Sequence, residues 1–215
     1  MFGIVFTGLI QSMGNVVAAR REGGGMQLDL DLGHLAEGLT GGESVAVSGA
    51  CLTVTKVDGT IASFDLSQET IDKTRFGQIE SGHRLNIELS LSAGDALGGH
   101  FVSGHVDGLG TFVRRENQGD YEVQVFRAPE EVAPLLIPKG SVSIDGVSLT
   151  VAEILSPDEF TVALIPETLT RTTLSELNTG DRVHMEGDLL GKFVFAYLDR
   201  RQSSAGSTAT GSSQP

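Results

Sequence analysis

Residues 45–57 read VAVSGACLTVTKV, and residues 142–154 read VSIDGVSLTVAEI. These are one phrase written twice, sharing Val45/Val142, Gly49/Gly146, Leu52/Leu149, Thr53/Thr150 and Val54/Val151. Val45, Val47, Leu52, Val54 and Val57 are apolar, with Thr53 and Thr55 between them, the pattern of half-buried strands. The most reactive letter changes: Cys51 in the first copy is Ser148 in the second.

Working outward, two further blocks repeat in the same order. FTGLIQSMGNV (6–16) aligns with VSGHVDGLGTF (102–112), and ETIDKTRFGQIESGHRLNIE (69–88) with ETLTRTTLSELNTGDRVHME (167–186). The shift between copies grows by single residues, as small loop changes after a duplication would produce. Asp58–Gly59, GGG at 23–25, NQG at 117–119 and SPDE at 156–159 separate the strand patterns and predict tight connections. Short strands at regular spacing in two similar units predict an all-β protein of tandem antiparallel barrels. The Gly- and Ser-rich LSLSAGDALGGH (89–100) is the natural linker, so one unit is expected over 1–97 and the second over 98–187. Leu189, Leu190, Phe193, Val194, Tyr197 and Leu198 fall on one helical face and predict a C-terminal helix over 188–201 that packs on the barrels or on another subunit. The composition of residues 202–215, QSSAGSTATGSSQP, predicts a disordered tail.

The chain has 215 residues and a formal net charge of −13. That charge disfavours nucleic acid and anionic membrane surfaces as partners. No apolar run approaches the ~18 residues of a membrane span. A single Cys cannot form an intrachain disulfide, which fits the cytosol.

A duplication carries its own control. Shared positions such as Gly49/Gly146, Glu69/Glu167, Gly82/Gly180 and Arg84/Arg182 are expected to serve the architecture, with the Thr53/Thr150 and Glu69/Glu167 pairs also open as ligand contacts. The polar differences are Cys51 against Ser148, Ser48 against Asp145, and Leu9 against His105. Ser, Asp and His are residue types that move protons or activate a nucleophile. No GxSxG elbow accompanies them. His34, His83 and His184 read as satisfied polar groups. His100 and His105 lack the Cys or carboxylate partners of a metal site. Asp29, Asp31 and Gly33 begin like a calcium loop, but Thr40 stands where its bidentate Glu belongs. GDALGGH lacks the Lys-Ser/Thr of a phosphate-binding loop.

FTGLIQ, GACLTV, GGHFVSGHVDG, IDGVSLTV and LIPETLTRTTL together resemble the α-chain type of riboflavin synthase, over about residues 6–198. The resemblance implies two six-stranded Greek-key barrels per subunit, a homotrimer contacted through the C-terminal helix, and sites between neighbouring subunits. It implies a transferase that converts two molecules of 6,7-dimethyl-8-ribityllumazine into riboflavin and 5-amino-6-ribitylaminouracil by four-carbon transfer, without metal or organic cofactor. An association with lumazine synthase is left open. The same fold also serves non-catalytic lumazine or flavin binders, and the retained Cys51, His105, Asp145 and Ser148 favour the enzyme.

Carried over residue by residue, the N-terminal pocket is expected to use Gly8, Leu9 and Ile10, then Ala50, Cys51, Leu52 and Thr53, completed by Phe64, Asp65, Leu66, Ser67, Gln68 and Glu69. The C-terminal pocket is expected to use Gly104, His105 and Val106, then Val147, Ser148, Leu149 and Thr150, completed by Val162, Ala163, Leu164, Ile165, Pro166 and Glu167. Lys139 is expected near the facing ligand. His105 is expected to transfer the proton, Ser148 and Asp145 to supply or adjust a nucleophile, and Cys51 to present a thiol opposite. The chain departs from the family in the residues preceding Phe6 and in carrying Ser48 where Asn is common.

Overall fold

Alternating inward apolar and outward polar residues build twelve strands in the computed structural model, which describes residues 5–207. The first repeat forms β1 (Ser12–Glu22), β2 (Gly25–Asp31), β3 (Ser44–Val47), β4 (Ala50–Asp58), β5 (Ile61–Leu66) and β6 (Arg84–Leu89). The second forms β7 (Gly108–Asn117), β8 (Glu122–Arg127), β9 (Ser141–Ile144), β10 (Val147–Ile154), β11 (Glu159–Leu164) and β12 (Arg182–Gly187). Each set closes into an antiparallel barrel, ordered β1-β2-β5-β4-β3-β6 in the first and identically in the second. The expected fold class holds.

The duplication extends to irregularities. A bulge between Val16 and Ala18 in β1 recurs between Phe112 and Arg114 in β7, and one between Val54 and Lys56 in β4 recurs between Val151 and Glu153 in β10. Such bulges sharpen the twist that lets six strands close. Closed barrels bury Leu28, Leu30, Phe64, Phe76, Leu85 and Ile87 in the first core, and Phe112, Phe126, Ile144 and Phe160 in the second. Gly23 and Gly24 both take positive φ in the β1–β2 turn, as the GGG run predicts. The β4–β5 turn falls on Gly59 and Thr60, one residue beyond the Asp58–Gly59 pair read from sequence, because Asp58 still pairs with Ile61. Short helices α1 (Gln68–Lys73) and α2 (Pro166–Arg171) follow β5 and β11. Ser67 caps α1 by accepting a hydrogen bond from the Thr70 N–H.

The final helix, α3, runs from Leu189 to Ser207, past residue 201 where composition starts a tail; residues 208–215 lie outside the described residues, as do the first four. Leu190, Phe193, Val194, Phe195, Tyr197 and Leu198 on it are all at least half exposed. A Lys192–Asp107 ion pair of 2.7 Å ties its first turns to the second barrel.

The segments preceding β1 and β7 do not stay with their own barrels. Phe6 and Val102 form an antiparallel bridge, with Phe6 N–H donating to the Val102 carbonyl at 2.8 Å and the reverse bond at 3.1 Å. Beyond it each segment crosses over: Gly8 accepts from Ser148 N–H, and Gly104 accepts from Cys51 N–H, both at 2.8 Å. The Ser48–Gly49 and Asp145–Gly146 turns, with positive φ at all four residues, meet back to back at the same seam. A Cβ on Gly49 would lie 2.6 Å from the Gly146 nitrogen.

Buried polar groups complete the seam in a pseudosymmetric pattern. Asn86 Nδ2 donates to the Asp145 carbonyl while its Oδ1 accepts from Thr173 N–H. At the equivalent place His184 Nδ1 bonds the Ser48 carbonyl at 2.7 Å and Nε2 accepts from Arg75 N–H at 2.9 Å. These partners fix the neutral, Nδ1-protonated ring. Burial lowers the His184 pKa to about 4; Asp145 opposes the shift, while Arg75 adds to it.

The unfolded chain takes up the His184 proton near pH 6.5 and the folded chain near 4, so the ring's contribution is full above 6.5 and is lost as pH falls toward 4. His184→Asn preserves both hydrogen bonds in the manner of Asn86. It is expected to cost about 1–2 kcal/mol at neutral pH and to remove about 3 kcal/mol of acid-dependent loss, read as urea midpoints between pH 4 and 7. Gly49→Ala and Gly146→Ala must each strain a positive φ and push a methyl into facing backbone, and a loss of at least about 2 kcal/mol is expected in denaturant unfolding.

Candidate functional site

Each crossing segment roofs a cavity on the other repeat's barrel. The first cavity, about 360 Å³, is lined by Ala50 and Cys51 of β4, by Glu69, Thr70, Lys73 and Thr74 in and after α1, and by Gly104, His105 and Val106. The second, about 310 Å³, is lined by Val147 and Ser148 of β10, by Ile165, Glu167, Thr168, Arg171 and Thr172 around α2, and by Gly8, Leu9 and Ile10. Both sizes suit a small bicyclic ligand. The expected partition is therefore corrected. Gly8, Leu9 and Ile10 belong with Ser148, and Gly104, His105 and Val106 belong with Cys51. The exchange is enforced by backbone contact, since a Cβ on Gly104 would lie 2.5 Å from Cys51 Cβ and one on Gly8 2.6 Å from Ser148 Cβ.

The expected grouping of His105 with Ser148 and Asp145 is corrected too. His105 shares its cavity with Cys51. Asp145 is wholly buried in the seam, one carboxylate oxygen accepting from Arg75 Nη2 and the other from His184 N–H, both at 2.8 Å. Its carboxylate is spent on structure. Ser148 instead meets His100, whose Nδ1 lies 2.7 Å from Ser148 Oγ. His100 is 8% exposed, its Nε2 has no partner, and burial pushes its imidazole pKa down against the pull of Asp188. A neutral imidazole bonded to a hydroxyl can accept that hydroxyl's proton as the oxygen attacks.

Strand alternation sorts the side chains of the remaining expected residues. Leu52, Phe64, Leu66, Leu149, Val162 and Leu164 point into the barrel cores and line neither cavity. Thr53, Asp65, Ser67, Gln68, Thr150, Ala163 and Pro166 are exposed and also lie outside the two linings. Lys139 is exposed, at φ +66° in the turn before β9, and reaches neither cavity. Sequence reading missed His100, Lys73, Arg171 and the Thr74/Thr172 pair. Thr74/Thr172 was visible as an identity between copies; His100, ending the linker, was weighed only as a metal ligand. Ser48, the departure beside Cys51, donates no group to the cavity; its Oγ accepts from Asn86 N–H in the seam.

The two cavities differ in chemistry. Burial pushes the Cys51 thiol pKa up, opposed by a hydrogen bond from Ser44 and reinforced by the buried Glu186 carboxylate. The thiol is thus protonated at neutral pH, and His105 is the polar group that differs from its counterpart Leu9. Each rim carries an i,i+4 ion pair, Glu69–Lys73 at 3.0 Å and Glu167–Arg171 at 3.4 Å. Because Cys51 is the chain's one thiol, its alkylation by iodoacetamide is directly countable by mass. It is expected to be slower at pH 7 than that of a free cysteine peptide, with the rate rising only at higher pH.

Among the described residues, no cluster of three or more His, Cys, Asp or Glu could hold a metal ion, and no helix is long and apolar enough to cross a membrane. The lumazine binding domain family matches twice, over residues 7–90 and 103–188. Riboflavin synthase of Bacillus subtilis is 34% identical over 91% of this chain and 91% of its own length. The riboflavin synthases of Chlamydia muridarum and Brucella abortus are 38% and 39% identical, covering 93% and 88% of this chain and 98% and 96% of their own. Among solved structures, LumP complexed with 6,7-dimethyl-8-(1'-D-ribityl) lumazine superposes with a TM-score of 0.76 at 23% identity, over 85% of this chain and 98% of that one. LumP complexed with riboflavin gives a TM-score of 0.78 at 24% identity with the same coverage. Twin barrels and these relatives agree: the chain belongs to the riboflavin synthase family and carries the lumazine binding domain twice.

Proposed function

We propose that the protein is a riboflavin synthase, a transferase that brings two molecules of 6,7-dimethyl-8-ribityllumazine together and moves a four-carbon unit from one to the other. The observation that carries this reading is the non-equivalence of two like cavities. One offers His105 beside a protonated thiol, the other a Ser148–His100 pair at 2.7 Å. Identical molecules with opposite roles need matching shapes and different reagents, and this chain supplies both. Apolar walls at Leu9, Ile10, Val106, Ala50 and Val147 suit the flat ring, while the Glu69 and Glu167 carboxylates suit ribityl hydroxyls.

In this scheme His105 removes the acidic 7-methyl proton of one lumazine. Ser148 adds through Oγ to C7 of the other as His100 Nδ1 takes the hydroxyl proton, or delivers an ordered water in its place. Cys51 lies within the first cavity and serves as a neutral polar wall. The products hold all the atoms of the two substrates, so no oxidant, reductant or cofactor enters the balance. Holding two rings in register replaces a bimolecular encounter, a gain of up to ~7–11 kcal/mol.

The two cavities of one chain are roofed separately, so facing rings call for a neighbouring subunit. The exposed apolar surface of α3 and the exposed Leu9, Phe101 and Ile165 near the cavities support a homotrimer with sites between subunits. The unpaired Cys51 suits a reducing cytoplasm.

The test is to incubate the pure protein with 6,7-dimethyl-8-ribityllumazine alone and follow riboflavin absorbance. Binding without product would make it a carrier, and no binding would leave the cavities without this ligand. Ser148→Ala and His100→Ala are each expected to lower kcat by about 10²–10⁴-fold, with the double variant no worse than the poorer single one. His105→Ala is expected to slow turnover far more than it weakens lumazine affinity, measured by fluorescence titration.

A further inference from the structure

Two buried carboxylates sit directly behind the crossing segments. Glu186, 2% exposed, accepts three hydrogen bonds: Ser103 N–H at 2.8 Å and Ser103 Oγ at 2.7 Å on Oε1, and Gly104 N–H at 3.0 Å on Oε2. Glu88, 3% exposed, does the same for Thr7 N–H at 2.7 Å, Thr7 Oγ1 at 2.6 Å and Gly8 N–H at 2.9 Å. The following residue is held as well, since His105 N–H donates to Ser103 Oγ and Leu9 N–H to Thr7 Oγ1. On its other side Gly104 is tied to Cys51 N–H through its carbonyl. The peptide that presents His105 is therefore clamped between a fixed anion and the strand bearing Cys51.

A buried carboxylate is costly to retain unless its acceptor sites are filled. A carboxylate accepts from two neighbouring N–H groups and a hydroxyl at once through two separate oxygens, which sets the direction of the peptide and not merely its place. The two clamps are structurally equal, but what they present is not. Leu9 is an apolar wall, whereas His105 is a reagent whose reach decides the reaction.

We propose that Glu186 is a positioning residue for His105, acting through Ser103 and Gly104, and that it also acts on Cys51 through the same Gly104 peptide, whose N–H it holds and whose carbonyl accepts from Cys51 N–H at 2.8 Å, whereas the segment held by Glu88 faces Ser148. The proposal rests on the riboflavin synthase reading for His105 but not for Cys51. Burial raises the Glu186 carboxyl pKa and Asp107 adds to the rise, against the pull of the two Ser103 donors and of Lys192. The Glu186 charge also adds to the upward push on the Cys51 thiol.

The experiment compares Glu186→Gln with Glu88→Gln in the full chain. Both are expected to lose thermal stability, because both give up a clamp. Glu186→Gln is expected to lower kcat about 10–100-fold with KM little changed. It is also expected to move the pH profile of iodoacetamide alkylation at Cys51 toward lower pH, while Glu88→Gln leaves that profile in place. Where Glu186→Gln does not fold, Ser103→Ala removes the hydroxyl linking the carboxylate to His105 N–H and is expected to lower kcat with KM unchanged. Equal effects of the two Glu variants on alkylation, no shift in either, or a matched change of kcat and KM would overturn the proposal. If the wild-type protein makes no riboflavin, the functional reading fails by itself, and the alkylation comparison still decides whether Glu186 governs the Cys51 side of the seam.

Discussion

Backbone lying on backbone at the barrel seam is the constraint from which the rest follows. Gly49 against Gly146, Gly8 against Ser148 and Gly104 against Cys51 approach closely enough that a methyl group fits at none of the three contacts. Only that closeness lets the Phe6–Ile10 and Val102–Val106 segments bridge each other and continue onto the opposite barrel. Had the segments stayed at home, each repeat would hold a complete pocket and the barrels could drift apart without chemical consequence. With the exchange, neither cavity exists without both barrels, and the seam becomes part of both sites.

Such a seam has to bury polar groups, and the chain treats each in pairs. Glu88 and Glu186 hold the crossing segments; Asn86 and His184 stitch turn to turn; Thr74 and Thr172 accept from the N–H groups of Phe76 and Leu174. Every paired position meets the same backbone demand, so side chains with the same donor and acceptor geometry are interchangeable there. His184 can stand for Asn86 because a neutral imidazole has one donor and one acceptor, like an amide. Asp145 can stand for Ser48 only because Arg75 neutralises it at 2.8 Å. The equivalent of Arg75 in the second copy is the uncharged Thr173, as the equivalent of Asp145 in the first is the uncharged Ser48.

Much of this was legible in the sequence. The repeated phrase around Gly49 and Gly146, the alternation in β4 and β10, and the GGG turn predicted barrels correctly because strand period and turn chemistry are local. The exchange was not legible. Gly8 aligns with Gly104 whether it roofs its own barrel or the neighbouring one, and a repeat contains no term that tells the two arrangements apart. That ambiguity misassigned Leu9 and His105 between cavities and grouped Asp145 with Ser148, three residues away in the chain but on the far side of a turn. Phe64, Leu66, Val162 and Leu164 were carried over from the family resemblance, and alternation turns their side chains into the core. His100 escaped because it was weighed only as a metal ligand, and nothing local in the sequence brings it to Ser148, 48 residues on.

The exchange also explains where the copies were free to differ. A residue on a crossing segment is seen by the other repeat's strand, so changing Leu9 or His105 alters one cavity without touching the barrel that encodes it. Cys51 and Ser148 sit on the strands beneath, half-buried, and each keeps its N–H bond to a glycine carbonyl. The two reactive differences thus leave the backbone contacts of the seam unchanged. A thiol kept protonated by burial and a hydroxyl coupled to a neutral imidazole give the two cavities different chemistry. The architecture places that asymmetry where it costs the fold least, and it keeps the two halves inseparable by making each barrel roof the other's cavity.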